Sequence, residues 1–147
     1  MGRNGEGVVG VRARLLVAKG SFSAMGGAER DIIRNLPSLS KKFKVSVATL
    51  DSAKQLDSVC EEYGIKLMKP DIYWKPPREA ISRILNKDFS SSLQTWKSVI
   101  GLVENFIDLD YVHLTSGDGS LSMLEIIPDG ISLHFHLLEP HRGLHED

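Results

Sequence analysis

The chain has 147 residues, of which 41% are hydrophobic and 25% charged, with a formal net charge of −1, as expected of one ordinary globular domain. A chain of this length buries one core but not two domains with a cleft between them, so any activity that needs two domains is excluded for this chain alone. Lys and Arg number 18 and Asp and Glu 19, which excludes a nucleic-acid binder that works by neutralising phosphates. The single cysteine excludes an internal disulfide.

The N-terminal segment is polar and rich in glycine, and we expect residues 1–11 to form a flexible tail. No apolar run reaches the roughly 20 residues that cross a bilayer, and the N-terminus lacks the order of a signal peptide. We therefore expect a cytoplasmic protein, with a location at the cytoplasmic face of the membrane as the alternative.

The first predicted elements are two strands separated by a loop and a helix. A short apolar run between glycine loops predicts a strand at residues 14–18, and alternating β-branched residues predict a second strand at residues 44–50. Between them, small residues at 20–27 form a loop that leads into a helix. Pro37 falls inside this helix, and we expect it to kink the helix or to end it just before the proline.

The middle of the chain predicts one further strand among three helices. A capping signal at Asp51 and Ser52 begins a helix that ends at Gly64, and residues 65–68 follow as a short third strand. Residues 70–77 predict a turn-rich connection. Two helices come next: one carries Ala80, Ile81, Ile84 and Leu85, and the other follows a cap at Ser90–Ser92 and carries Leu93, Trp96, Ile100, Val103 and Ile107.

The last third of the chain predicts a strand at 110–114, a short helix at 121–127 and a strand at 131–138. Alternation of strands and helices predicts an α/β fold. We expect a single Rossmann-like domain over residues 12–147, with a mainly parallel sheet of about five or six strands and helices on both faces. Ligands of such sheets bind at the carboxyl ends of the strands, where the strand order switches.

Glycines and histidines are concentrated at opposite ends of the sequence. Seven of the 13 glycines lie in residues 1–27, and four of the five histidines lie in the last 14 positions. The loop at 20–27 leads into a helix N-terminus, where free N–H groups and the helix dipole favour a phosphate. It is not a Walker A loop, because Gly27 and Ala28 stand where that motif has Lys and Ser or Thr. A glycine turn that only connects strand to helix is the alternative.

Three segments resemble the opening of the family 4 (group 1) glycosyltransferases: Gly26–Arg30 (GGAER), Asn35-Leu36 and Val45–Thr49. The similarity continues more weakly through Asp110–His113 and Ser132–His136 and spans most of residues 12–142. Members of this family have the GT-B fold, in which two Rossmann-like domains face each other across a cleft. The resemblance covers the N-terminal, acceptor-side domain only.

The resemblance implies a set of site residues. In the family the glycine loop closes over the diphosphate of the activated sugar, which assigns Gly26 and Gly27 to substrate binding. His136 matches the histidine that points at the donor sugar or the acceptor, and is the expected catalytic residue. His134 shares a strand face with His136 and is the alternative. Glu29 is either a further contact to the cleft or a charge at the helix N-terminus.

The implied activity is transfer of a hexosyl unit from a nucleotide-diphosphate sugar to a glycan, lipid or small-molecule acceptor, with retention and with no cofactor. The family places its diphosphate-neutralising basic residue and its glutamate-rich motif in a second domain, which lies beyond Asp147. We therefore expect a C-terminal donor-binding domain in the full-length protein and no activity in this chain alone. The rival hypothesis is a non-catalytic Rossmann-like module that binds a phosphorylated ligand or a partner.

Other site chemistries find less support in the sequence. Paired histidines at His134/His136 and His141/His145 invite a metal site, but the second pair has no predicted helix or strand to support it, and we expect no metal. No serine lies in a G-x-S-x-G motif, so a Ser-His-Asp hydrolase has no nucleophile. Tyr73 and Trp74 indicate either packing over a sheet edge or contact with an acceptor or a membrane surface.

Overall fold

The computed structural model describes residues 12–22, 26–50, 60–61, 64, 71–73, 89–117 and 119–137. Its strands are β1 (Arg14–Lys19), β2 (Lys44–Thr49), β3 (Asp71–Tyr73), β4 (Tyr111–Thr115) and β5 (Ser132–His136). Among the described residues, α1 (Gly27–Lys42) and α2 (Phe89–Ile100) are α-helices, Cys60 and Glu61 are also helical, and short 3-10 helices cover Phe106–Asp108 and Leu121–Glu125. In this part of the chain, no helix is long and apolar enough to cross a bilayer.

All the described strand pairs are parallel, and the sheet has the order β3-β2-β1-β4-β5. β1 lies between β2 and β4, so the chain leaves β1 towards one edge of the sheet and leaves β4 towards the other. The switch in strand order therefore falls between β1 and β4, which is where a ligand crevice is expected. The prediction of an α/β fold with a parallel sheet is confirmed.

Two apolar cores lie on opposite faces of this sheet. Leu15 and Val17 pack with the buried residues of α1, whereas Leu16 and Ala18 pack with Trp96 and its neighbours on α2. This alternation follows from the period of two along a strand, because successive side chains point to opposite faces. Near-continuous burial along β1 and β2 is typical of a parallel sheet that is covered on both sides.

The prediction that Pro37 ends or kinks α1 early is wrong as to the end, since the helix continues to Lys42. Proline removes one hydrogen bond and crowds the carbonyl four residues back. Apolar burial offsets this cost: Ile33 and Leu36 are buried against the sheet on the same face of the helix, and Leu39 packs against them beyond the proline.

A second correction concerns residues 70–77, which contain the strand β3 instead of a turn-rich connection alone. Ile72 pairs in register with Val47 of β2, so the open edge of β2 supplies backbone hydrogen-bond partners that the local sequence does not reveal. The predicted strand at 65–68, the helix carrying Ala80 to Leu85 and the N-terminal tail lie outside the described residues.

The helix predicted from Ser92 to Ile107 is displaced towards the N-terminus. α2 begins at Phe89, so the predicted serine cap lies inside it, and Ser92 is buried with its hydroxyl 2.8 Å from that of Ser122. The helix ends at Ile100 before Gly101, and Val103 reaches the same core from a turn. An apolar pattern can therefore continue past the end of a helix when the following turn folds back on the core. The predicted helix at 121–127 is the 3-10 helix Leu121–Glu125.

Candidate functional site

The ligand position expected at the switch in strand order is bounded by the ends of β1 and β4 and by the start of α1. After β1, the Gly20 carbonyl accepts hydrogen bonds from the Leu50 N–H and the Thr49 hydroxyl, both at 3.2 Å. These bonds tie the loop that follows β1 to the end of β2. They therefore hold the carboxyl ends of β1 and β2 together on the side of the sheet where α1 begins.

The N-terminus of α1 is built by two glycines. Gly26 is the N-cap in an extended conformation and has no side chain to cap the helix, and the Arg30 N–H donates to the Gly26 carbonyl at 3.2 Å. A Cβ placed on Gly27 would meet no heavy atom within 4 Å in the described part of the chain. A Cβ on Gly26 would lie 3.1 Å from a carboxylate oxygen of Glu29. Among the described residues, none approaches the Cβ position of Gly27, at the helix end where N–H groups lack intrahelical partners.

Glu29 forms a buried ion pair with Lys19, the last residue of β1. Lys19 Nζ lies 3.2 Å from Glu29 Oε1, and the two side chains are 7% and 10% exposed. The same ammonium donates to the Ser116 carbonyl at 3.4 Å, in the segment after β4. Lys19 thus links the two strands that flank the switch to the first turn of α1. It is a residue that the sequence analysis missed, although a lysine that ends a buried apolar strand at a ligand edge is a usable signal.

The loop after β4 needs glycine at two positions. Gly117 has φ of +144° and Gly119 has φ of +75°, values that other residues rarely adopt. The Trp96 indole donates to the Gly119 carbonyl at 2.8 Å, which anchors the loop to α2. Among the described residues, the buried hydroxyl of Ser120 has no hydrogen-bond partner. The loop is thus fixed by backbone conformation and by its contact with α2.

The histidines predicted as site residues lie on the α1 face of the sheet. His134 pairs in register with His113 on β4, and His136 ends β5 opposite Thr115. Nδ1 of His113 and Nδ1 of His134 are 2.8 Å apart, and the Thr115 hydroxyl lies 3.3 Å from Nε2 of His113. Ring centroids are 4.7 Å apart for His113 and His134, 5.9 Å for His113 and His136, and 6.4 Å for His134 and His136. These three residues are called the histidine cluster below.

The histidine cluster forms one wall of a groove of about 610 Å³ between α1 and the sheet, called the α1 groove. Leu15 and Val17 form its floor, and α1 contributes residues from Ala28 to Lys42. His134 and His136 therefore face the flank of the same helix whose N-terminus carries Gly26 and Gly27. Gly26, Gly27 and Glu29 do not line this groove; they lie at the start of α1, where Glu29 pairs with Lys19.

Burial and the neighbouring imidazoles affect the protonation of His113. Burial lowers the pKa of His113 from its ordinary value of 6.5, and the neighbouring His134 and His136 lower the pKa further. A hydrogen bond between two imidazole nitrogens needs one donor and one acceptor, so at least one of His113 and His134 has an unprotonated Nδ1 in this arrangement. In the described part of the chain, no group of three or more histidine, cysteine or acidic side chains is arranged to hold a metal ion.

The chain matches no protein-family model and no curated protein.

Proposed function

We propose that this domain is the acceptor-side half of a family 4 glycosyltransferase with the GT-B fold. The full-length protein would transfer a hexosyl unit from a nucleotide-diphosphate sugar to a glycan, lipid or small-molecule acceptor, with retention. The observation that carries the proposal is the helix N-terminus at Gly26 and Gly27, beside the switch in strand order, where a Cβ on Gly27 would meet no heavy atom of the described residues within 4 Å. It agrees with the resemblance of the GGAER segment to that family.

Gly26 and Gly27 would act on the leaving group. Breaking the sugar–phosphate bond leaves negative charge on the diphosphate, and N–H groups at a helix N-terminus stabilise such charge without needing to reorganise. A side chain at Gly27 would occupy the space that the diphosphate needs. The second domain would supply the basic residue that completes charge neutralisation and the glutamates that hold the nucleotide and the sugar.

His136 is the residue proposed to reach the reacting sugar or the acceptor, because it ends β5 at the carboxyl edge opposite Thr115. His134 lies two residues earlier and faces the α1 groove with it. Glu29 has a different role in this proposal. Its buried carboxylate is paired with Lys19, so it fixes the first turn of α1 to β1 and orients the glycines.

The test reads the coding sequence past Asp147 for the second domain that the proposal requires and assays the protein that it encodes. We expect a second α/β domain with a glutamate motif and measurable transfer from a nucleotide-diphosphate sugar. Gly27→Leu and His136→Ala should each reduce kcat/KM by about 10²- to 10³-fold, the effect of losing a group that stabilises the transition state. Leu133→Asn, on the opposite face of β5, is the matched control and should retain activity. Normal rates in both site variants would refute the assignment of these residues.

A non-catalytic phosphate-binding module is the second candidate. The observation that favours it is the Lys19–Glu29 pair. The Glu29 carboxylate is the ionisable group nearest the glycines, and in this pair it serves to hold the fold together. This function predicts that the 147-residue chain binds pyrophosphate and that Gly27→Leu abolishes binding. It also predicts that the longer protein shows no sugar transfer with any nucleotide-diphosphate sugar, whereas the transferase proposal requires transfer.

A further inference from the structure

The outer face of α1 carries an excess of basic side chains. The exposed charged residues of this helix are four cations and one carboxylate: Arg30, Arg34, Lys41, Lys42 and Asp31. Its other acidic residue, Glu29, is buried and paired with Lys19. Arg34, Lys41 and Lys42 form no ion pair with an acidic side chain in the described part of the chain, so the fold does not neutralise their charges.

Three of these cations form a stripe along α1, called the basic stripe: Arg30, Arg34 and Lys41. At about 100° of rotation per residue, the three side chains lie within a sector of about 40° of the helix. At 1.5 Å per residue, the stripe extends over about 16 Å. Cations spread over such a length cannot converge on a single phosphate or carboxylate. They fit an extended anionic surface.

The layer on the other face of the sheet has the opposite charge. The segments that cover the core around Trp96 contribute one exposed lysine and four exposed carboxylates: Lys97, Glu104, Asp108, Glu125 and Asp129. On the α1 side, Glu61 is the exposed carboxylate described outside the helix, next to Cys60 of the same core. An anionic plane therefore attracts the molecule through α1 and repels its opposite face.

An aromatic pair lies next to the C-terminal end of the basic stripe. Phe43 directly follows α1, and its ring centroid lies 5.7 Å from that of Tyr111. Tyr111 pairs in register with Leu15, whose side chain packs with α1, and it is 43% exposed. A tyrosine in this position suits the headgroup level of a membrane, because its ring is apolar and its hydroxyl polar. The phosphates of a nucleic-acid duplex offer no apolar layer to such a ring, so the pair favours lipid.

We propose that the basic stripe docks this domain on the surface of a bilayer that contains anionic lipids. α1 lies along the surface, with Tyr111 at the level of the headgroups. The contact is peripheral and depends on salt, because it is made by exposed charges. The inference goes beyond the proposed sugar transfer, because docking needs neither a sugar donor nor an acceptor.

The probes are vesicles of phosphatidylcholine alone and of phosphatidylcholine with about one-third phosphatidylglycerol, mixed with the 147-residue chain and sedimented. The partition coefficient should be at least about tenfold higher for the anionic vesicles at low salt, and about 0.5 M NaCl should remove this difference. Equal binding to both kinds of vesicle, or no binding to the anionic ones, would overturn the proposal. So would a 30-base-pair DNA duplex that displaces the chain from the anionic vesicles when its phosphates are fewer than the anionic lipids.

Two charge reversals that change the net charge equally locate the surface. Arg34→Glu, in the basic stripe, should lower the partition coefficient for the anionic vesicles about tenfold. Lys97→Glu, on the opposite layer, should lower it less than about twofold. Both side chains are exposed, so both variants should fold, and far-ultraviolet circular dichroism checks this. Equal losses in the two variants would mean that binding follows net charge without orientation, and would refute docking through α1.

Discussion

The contact between Lys19 and Glu29 places two charges in the interior at the edge where a ligand is expected. Moving each ion out of water costs several kcal/mol, and their attraction offsets this only while both partners are present. The pair joins β1 to α1, and the Ser116 carbonyl extends the link to the segment after β4. Its removal should therefore affect stability more than a surface ion pair would.

We predict that Lys19→Met lowers the free energy of unfolding by about 3–5 kcal/mol, because it leaves the Glu29 carboxylate buried without its cation. The double variant Lys19→Met/Glu29→Leu should recover most of this loss, since no unpaired charge remains. Urea unfolding of the single and double variants measures both effects. Lys97→Met, an exposed lysine on α2, is the control and should change stability by no more than about 0.5 kcal/mol. A single variant as stable as this control contradicts the prediction.

The positions of Gly117 and Gly27 differ in whether they tolerate a side chain. Gly117→Ala should cost about 1–3 kcal/mol, because its φ of +144° is strained for any other residue and the new Cβ would lie 3.1 Å from Lys19 Nζ. Gly27→Ala should preserve stability or raise it by up to about 1 kcal/mol, because it enters a helix and meets no heavy atom of the described chain within 4 Å. Thermal unfolding compares the two; a similar loss in both would refute the distinction.

At this scale the sequence predicts residue types better than their partners. The glycines at the start of α1 and the shared face of His134 and His136 follow from local spacing alone. The partners of Glu29 and His113 come from strands that are distant in the sequence, Lys19 from β1 and His134 from β5. Such contacts depend on which strands become neighbours, and a single sequence does not encode that order in any local pattern.

At the scale of elements, β4 and β5 form a pair across which histidine side chains face one another. β5 has β4 as its neighbour in the described sheet, and the histidine cluster lies across that pair. The lowered pKa of His113 means that the folded state binds protons less readily than the unfolded chain does. The stability that this group contributes is complete above pH 6.5 and is lost as the pH falls from 6.5 towards the folded-state pKa.

We therefore predict that the urea midpoint falls between pH 7.5 and pH 5.0, and that the fall is smaller in His134→Asn/His136→Asn, which removes the repulsion by both neighbours. The variant retains the part of the shift that burial causes, so some pH dependence should remain. Leu133→Asn, on the other face of β5, should keep the full dependence. A double variant with an unchanged pH profile would show that the neighbouring imidazoles do not influence His113.

In some elements, tertiary packing overrides the structure that the local sequence pattern predicts. The strands β1 and β2 are apolar and bounded by loops, and the sequence predicts them within a residue or two. Pro37 gives a wrong prediction of the end of α1. The free-energy cost of a proline inside the helix is offset by apolar burial along a helix face that continues past it. Prolines near β3 in the sequence obscure its strand pattern, and pairing with the edge of β2 stabilises it.

For the whole molecule, the sheet order predicts a gradient of stability. β1 and β4 have strand neighbours on both sides and carry the buried residues of the cores, whereas β5 is mostly exposed and pairs with β4 on one side in the described sheet. Local opening requires the loss of fewer contacts in β5 than in the central strands. The order of strands should therefore be visible in amide hydrogen exchange.

We predict that amides of β5 that bond to β4 exchange faster than the amides of β1. The Ser132 N–H donates to the Asp110 carbonyl at 3.1 Å, and this bond breaks when β5 alone detaches, while exchange in β1 requires opening of both cores. Native-state exchange measured by NMR at pH 7.5 tests this order. Lowering the pH to 5.5 should reduce protection in β5 more than in β1, because protonation disrupts the histidine cluster. Both sets of rates are corrected for the intrinsic exchange rates. Equal protection of β1 and β5 at both pH values would mean that β5 opens only together with the cores.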